Sequence, residues 1–149
     1  MRQEYEAVAN AGIVLQIDCT DLAMGRHIQY ADLSLADFRK RAGMHVQALN
    51  HALANIAPER LRMHLCWGNY EGPHDRDVPL RDILPSILQA NVGAIFLPFA
   101  NPRHAHEYAV LKSIPLKSDQ LLIAGVIDTL TNFVEHPEVV ANRIEEAAS

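Results

Sequence analysis

Four short apolar runs alternate with amphipathic segments along this chain, and that order restricts the fold more than any other feature. The runs cover residues 13–18, 61–66, 93–97 and 121–128, and each has the length of one buried strand. Strands that alternate with helices predict βα units, because neighbouring parallel strands need a long crossover between them. We therefore predict one α/β domain over residues 1–149, with about four parallel βα units.

The segments between the predicted strands carry signals for helix starts. Ser34, followed by Asp37 at the third helical position, has a capping-box pattern. Pro79 and Pro137 are typical of a first helical turn. The apolar positions that follow Ser34 at helical spacing are Leu35, Phe38, Ala42, Val46, Leu49 and Leu53, and those that follow Pro79 are Leu80, Ile83, Leu84, Ile87 and Leu88.

Composition limits the partners and the compartment. A net charge of -5, with no basic stripe, predicts that the protein does not bind nucleic acid. No run is long enough to cross a membrane. Two cysteines and an N-terminus without an apolar signal segment predict a reduced, cytoplasmic location.

Polar side chains collect towards the carboxyl ends of the predicted strands. Gln16 and Asp18 share one face of the first strand, and Arg62 and His64 share one face of the second. Asp128 closes a row of the fourth with Leu122, Ala124 and Val126. The opposite faces of the first two strands are apolar and are predicted to pack against helices: Ile13, Leu15 and Ile17, and Leu61, Met63 and Leu65. An open doubly wound sheet is covered by helices on both faces, so these polar side chains would be buried in apolar contacts. The pattern predicts part of a TIM-type (βα)8 barrel, where ligands bind at the carboxyl ends of the strands.

His64 and Cys66 are the strongest candidates for a metal site. Side chains two apart on a strand project from the same face, so an imidazole and a thiol would be adjacent. Zinc binds both ligand types but normally takes at least three from the protein. The alternative is a buried pair that satisfies its own hydrogen bonds.

Six separated segments are similar to motifs of the cobalamin-independent methionine synthase family. The short branch that includes epoxyalkane:coenzyme M transferases has the closest resemblance, which extends over nearly the whole chain. The segments are Glu4-Tyr5-Glu6-Ala7, Leu15-Gln16-Ile17-Asp18, residues 21–27, His64-Leu65-Cys66 through His74, residues 100–108, and Gly125-Val126-Ile127-Asp128 through Glu138.

The resemblance implies strands four to seven of a TIM-type catalytic barrel with a zinc ion at its mouth. His64 and Cys66 would bind the metal, which activates the thiol of homocysteine or coenzyme M towards a methyl or alkyl donor. Asp18 would help to hold the substrate. The implied activity is zinc-dependent thiol methyl or alkyl transfer.

The chain also departs from the family pattern. Pro98 occupies the position of a zinc-binding glutamate. The family's last cysteine ligand, which follows the helix of Pro137 to Ala148, is absent from residues 1–149. The family's proton-donor histidine is replaced in the Thr129-Leu130 region. Cys19, directly after Asp18, is a candidate replacement ligand.

Other residues allow two interpretations each. Asn101, Arg103 and His104 lie at a helix entry, where they could bind an anionic group of the substrate or could cap the helix. Asp18 and Asp128 could face the substrate or cap loops. Further candidates with the same ambiguity are His106 and Glu107 for the anion, and Trp67, Tyr70 and His74 for a pocket.

A half-barrel leaves two edge strands and one sheet face without a partner. We expect these surfaces to be covered in a homo-oligomer, by a companion half-barrel, or by further residues of a longer polypeptide. A second hypothesis for the function follows: a catalytically silent half-barrel that assembles with another chain. A metal-dependent hydrolase is a third, weaker hypothesis.

Overall fold

Four parallel strands form a single sheet in the computed structural model, which describes residues 1–149. The strands are β1 (Leu15–Asp18), β2 (Leu61–His64), β3 (Ala94–Pro98) and β4 (Leu121–Gly125). Their spatial order is the same as their order in the chain. The prediction of an α/β fold with parallel strands is therefore confirmed.

Five α-helices accompany the sheet. They are α1 (Arg2–Asn10), α2 (Leu35–Leu53), α3 (Leu80–Ile87), α4 (Tyr108–Ser113) and α5 (Pro137–Ala148). Residues 34, 79 and 136 immediately precede α2, α3 and α5, close to the predicted starts. Helix α1 was not predicted, and its N-terminus has no side-chain capping bond. None of the five helices combines the length and the apolar character needed to cross a lipid bilayer.

The strands are shorter than the apolar runs. Ile13 is 57% exposed and lies before β1, so the predicted apolar row of the first strand does not include it. Cys66 lies two residues after the end of β2 rather than on it. Asp128 lies three residues after β4 and does not close a row of strand side chains. Beyond β2 the apolar Leu65 is still buried, whereas Ile13 before β1 and Ile127 after β4 are exposed.

The helix-covered face of the sheet forms the core. Leu61, Met63 and Leu65 are completely or almost completely buried, as the alternating pattern predicted. They belong to one apolar cluster with Phe38 of α2 and Ile83 of α3. Leu35 is the exception in the predicted stripe of α2, with an exposed fraction of 40%.

The other face of the sheet is largely open. Gln16 and Arg62 are exposed, His64 and Phe96 are half-buried, and Leu121 is 70% exposed. Strands β1 and β4 are the two edges, each paired on one side. The sheet thus has helices on one face only, and polar side chains towards the carboxyl end of the open face.

Ser34 is the N-cap of α2, as the capping-box pattern predicted. The backbone N–H of Asp37 donates to Ser34 Oγ at 3.1 Å, which satisfies one of the free donors of the first helical turn. We expect Ser34→Ala to lower the free energy of unfolding by about 1 kcal/mol, and Ser34→Gly by only about a few tenths. Urea denaturation of both variants measures this difference. Equal losses in the two variants would contradict a capping role.

Candidate functional site

A cleft of about 240 Å³ lies at the carboxyl ends of β2, β3 and β4. It brings together four of the seven residues predicted for the site: His64, Cys66, Asn101 and Asp128. The remaining lining residues are Trp67, Gly68, Asn69, Phe96, Pro98, Gly125, Ile127, Thr129 and Leu130. The strand ends therefore form a concave surface, as expected for an α/β fold.

Asp18 fixes the orientation of His64. The two residues are register partners on β1 and β2, and His64 Nδ1 lies 2.9 Å from Asp18 Oδ1. Because the carboxylate accepts a hydrogen bond from Nδ1, the neutral imidazole keeps its lone pair on Nε2. The ring also contacts Phe96, with a centroid distance of 4.9 Å. This arrangement is typical of a histidine that is held for ligation by a carboxylate.

Cys66 lies beside His64 in the cleft but is held as a thiol. Burial raises the pKa of Cys66, and the charge of Asp18 adds to the effect, although a hydrogen bond from the Gly68 N–H opposes both. The nitrogen of that bond lies 3.4 Å from Sγ. Metal coordination would lower the pKa and give the thiolate.

The donor set is suitable for zinc in kind but not in number. An imidazole nitrogen and a thiolate are common zinc ligands, and three or four are usual. No group of three or more His, Cys, Asp or Glu side chains is arranged to hold a metal ion.

The side chain of Cys19 is directed away from this pair, although its backbone N–H donates to the carbonyl of His64 at 2.8 Å. It is 7% exposed and belongs to the apolar core on the helix-covered side of β1, whereas Asp18 faces the other side. Burial, together with the charges of Asp21 and Asp18, raises the pKa of Cys19 to about 12. This placement removes the basis for Cys19 as a replacement ligand.

Asp128 lines the cleft and also organises the loop after β4. Its Oδ1 accepts a hydrogen bond from the N–H of Leu130 at 2.9 Å. Its own N–H donates to Glu135 Oε2 at 2.8 Å. Both predicted roles, facing the cleft and capping a loop, are thus compatible with its position.

The residues at the helix entry divide between two places. Asn101 reaches the cleft, and its Oδ1 also accepts from the Arg103 N–H at 2.8 Å. Arg103 is exposed and lines a neighbouring groove with Asn101 and Tyr70. His104 is 3% exposed and does not line the cleft.

His104 belongs to a buried network of four side chains: His74, Asp77, His104 and Glu107. Asp77 Oδ2 lies 2.8 Å from His74 Nδ1 and 2.9 Å from His104 Nε2. Glu107 Oε2 lies 2.9 Å from His104 Nδ1. We call these four residues the His–carboxylate network.

Sequence reasoning did not identify the network, although a signal was available. His74 with Asp77, and His104 with Glu107, repeat the same spacing of a histidine and a carboxylate three residues later. Two such pairs, each in a polar segment that follows a predicted strand, would have predicted histidines held by carboxylates. Their joining through Asp77 and His104, which are 27 positions apart, requires the tertiary structure.

The network supports the wall of the cleft. The indole of Trp67 stacks on the ring of His104, with a centroid distance of 3.7 Å and an interplanar angle of 12°. Trp67 Nε1 donates to the carbonyl of Val78 at 2.7 Å. Since Trp67 also lines the cleft, the buried network and the candidate metal pair share one structural element.

The chain matches no protein-family model, no curated protein and no solved structure at a significant level. The resemblance to the methionine synthase family therefore depends on the six sequence segments alone.

Proposed function

We propose that this chain is part of a zinc-dependent thiol methyl- or alkyltransferase related to the cobalamin-independent methionine synthases, with His64 and Cys66 as two of the metal ligands. One observation carries the proposal. A histidine oriented by Asp18 lies beside a cysteine at the carboxyl edge of a parallel sheet, in a cleft.

Each residue of the cleft has a task in this proposal. Asp18 holds the His64 ring through Nδ1 and increases the basicity of Nε2. When bound, zinc would supply the positive charge that converts a substrate thiol into a thiolate nucleophile. Asn101 and Asp128 offer polar groups to the acceptor, such as homocysteine or coenzyme M. Phe96, Ile127 and Leu130 give the apolar part of the cleft.

The open sheet face is the reason for proposing a larger assembly. In this proposal the four strands are half of a (βα)8 barrel, and a closed barrel would cover both edges and the exposed face. Exposed apolar side chains near the edges, such as Val14, Leu121 and Ile127, would become buried. The covering half would come from a second copy, a companion half-barrel or further residues of the same polypeptide, and it would bring the missing zinc ligands.

A catalytically silent half-barrel is the second candidate. Pro98 is the residue that supports this alternative. It lines the cleft, at the position where the family pattern has a glutamate ligand. A proline side chain offers no donor to a metal. In this alternative the open face serves assembly alone, and neither metal binding nor thiol alkylation is expected.

Cobalt substitution tests the proposed centre. Co²⁺ occupies zinc sites and shows a thiolate-to-metal absorption band when a cysteine ligates it. We expect this band in the wild type and its loss in Cys66→Ser. We expect Asp18→Asn to weaken metal affinity by about 10- to 100-fold. Cys19→Ser is the matched control. Cys19 faces the core, so this substitution should leave the band unchanged.

The same preparations are then incubated with zinc, homocysteine or coenzyme M, and an alkyl donor. Thiol consumption that depends on His64 and Cys66 supports the transferase. A wild type assembled with its covering half that shows no thiolate band and no alkylation contradicts the transferase and favours the silent half-barrel.

A further inference from the structure

The His–carboxylate network joins three segments of the chain behind the cleft. His74 and Asp77 belong to the loop between β2 and α3, and His104 and Glu107 belong to the segment before α4. Glu107 Oε1 also accepts the backbone N–H of Leu80, at the start of α3, at 2.7 Å. The network therefore holds the β2–α3 loop against the segment before α4.

The hydrogen-bond partners of His104 favour a positive charge on its ring. His104 places one ring nitrogen on Asp77 and the other on Glu107, and both partners are carboxyl groups. An ionised carboxylate only accepts, so both nitrogens of His104 donate and the ring is an imidazolium. Asp77 also bonds His74 Nδ1, and His74 Nε2 lies 2.6 Å from the carbonyl of Tyr70. The charge of His104 is thus balanced by the carboxylates around it.

Burial makes this balance sensitive to the loss of one proton. The exposed side-chain fractions are 7% for His74, 0% for Asp77, 4% for His104 and 5% for Glu107. A neutral imidazole would turn one nitrogen lone pair towards an acceptor and leave a net negative charge in the interior. Such a buried, unpaired charge is unfavourable.

We infer that the His–carboxylate network is a pH-sensitive switch, which keeps the β2–α3 loop closed against the cleft while His104 is protonated and loosens it when His104 becomes neutral. The loop includes Trp67, Gly68 and Asn69, which line the cleft. Loosening it changes access to the cleft directly. The inference does not depend on zinc binding.

The direction of the pH dependence follows from His104. Burial opposes its charge, but the hydrogen bonds to Asp77 and Glu107 and their negative charges outweigh burial and raise the pKa of His104. A raised pKa in the folded state stabilises the closed loop below the ordinary value of 6.5, and this stabilisation is lost as the pH rises through the raised value. Loosening is therefore expected on the alkaline side.

Other charged and titratable groups surround the network. His27 stacks on His74, with ring centroids 5.8 Å apart, and the Tyr70 ring lies 5.7 Å from His74. Arg103 and His106 line a small pocket beside His104. Arg26, Asp75 and Arg76 line a groove beside Asp77. None of these side chains makes a hydrogen bond to the four members of the network. The strongest electrostatic interactions of each member are therefore with the other members.

Trp67 is the single tryptophan of the chain and reports directly on the switch. A protonated imidazole in contact with indole quenches its emission, and a buried indole is shielded from acrylamide. The test is to record the emission of Trp67 and its quenching by acrylamide from about pH 5 to about pH 9. We expect the emission and the quenching to increase in one transition with a midpoint above about pH 6.5.

His104→Gln is the test variant, and His106→Gln is its matched control. His106 lies in the same segment but is exposed. We expect the transition to be lost in His104→Gln and retained in His106→Gln. A transition that persists unchanged in His104→Gln, for example from Cys66, overturns the inference, as does a wild type with no transition.

A second measurement uses the unmodified sequence and does not depend on the folding of a variant. Long-range nitrogen–proton NMR spectra count the protons on each imidazole ring. At about pH 6 we expect His104, one of the eight histidines, to be protonated on both nitrogens and protected from solvent exchange. Spectra in which every solvent-protected ring is neutral would overturn the inference.

Discussion

Asp77→Ala is expected to lower the free energy of unfolding by about 3–5 kcal/mol, because it removes the shared partner of two buried histidine rings, of which His104 is charged. The Asp77 side chain is completely buried, and one carboxylate oxygen bonds both His74 and His104. Without it, the His104 imidazolium keeps a single carboxylate partner, Glu107, and His74 Nδ1 loses its hydrogen bond. Urea denaturation at weakly acidic pH measures the loss.

Asp75→Ala is the control for this prediction. Asp75 lies two residues away in the same loop but is exposed and has no hydrogen bond to the network. Its replacement should change the free energy of unfolding by no more than about 0.5 kcal/mol. Similar losses in both variants would show that the loop, rather than the buried charge, determines the effect.

The loss in Asp77→Ala should also depend on pH. Burial opposes ionisation of Asp77, but hydrogen bonds from His104 and His74 outweigh it and lower the pKa of Asp77 below its ordinary 3.8. The stabilisation is therefore present above 3.8 and is lost as the pH falls through the lowered value. It is also lost as the pH rises through the raised pKa of His104. The difference between wild type and variant should be largest between these limits.

Phe38→Ala is expected to have a similarly large effect for a different reason. Phe38 is 1% exposed and packs from α2 into the single apolar cluster beneath the sheet. Removal of the ring takes away its buried area and leaves a cavity, at a cost of about 3–5 kcal/mol. Unlike the Asp77 effect, this loss should not vary between weakly acidic and alkaline pH.

Phe133→Ala is the matched control for Phe38. Phe133 is 85% exposed in the described chain, so the same substitution removes no buried contacts. We expect a change within about 0.5 kcal/mol. A large loss in Phe133→Ala would instead show that this side chain is covered in solution, as the proposed half-barrel assembly predicts for some exposed apolar residues.

The local patterns of the sequence predicted much of the fold. Alternation along residues 61–65 identified the buried face of β2, and helical spacing after Ser34 identified the buried stripe of α2. The signals of Ser34 and Pro137 placed two helix starts correctly. These features depend on neighbours within one turn or one strand, which the sequence shows directly. Helix α1 was missed because it has neither a side-chain cap nor a buried apolar stripe, and the strand ends were missed because the apolar runs extend beyond the paired residues.

The candidate site was only partly predictable. His64, Cys66, Asn101 and Asp128 meet in one cleft, as the positions of strand ends suggested. The core-facing position of Cys19 was not foreseen, although the alternation of side chains along a strand places Cys19 opposite Asp18.

The sequence by itself determined the alternation of helices and parallel strands, since apolar periodicity and helix caps act over a few residues. Only the tertiary structure decided which polar groups meet. Asp18 and His64 are 46 positions apart, and Asp77 and His104 are 27 apart. Their pairing follows from the strand register and loop paths, and the energy of a buried charge depends on its partners rather than on its neighbours in the chain.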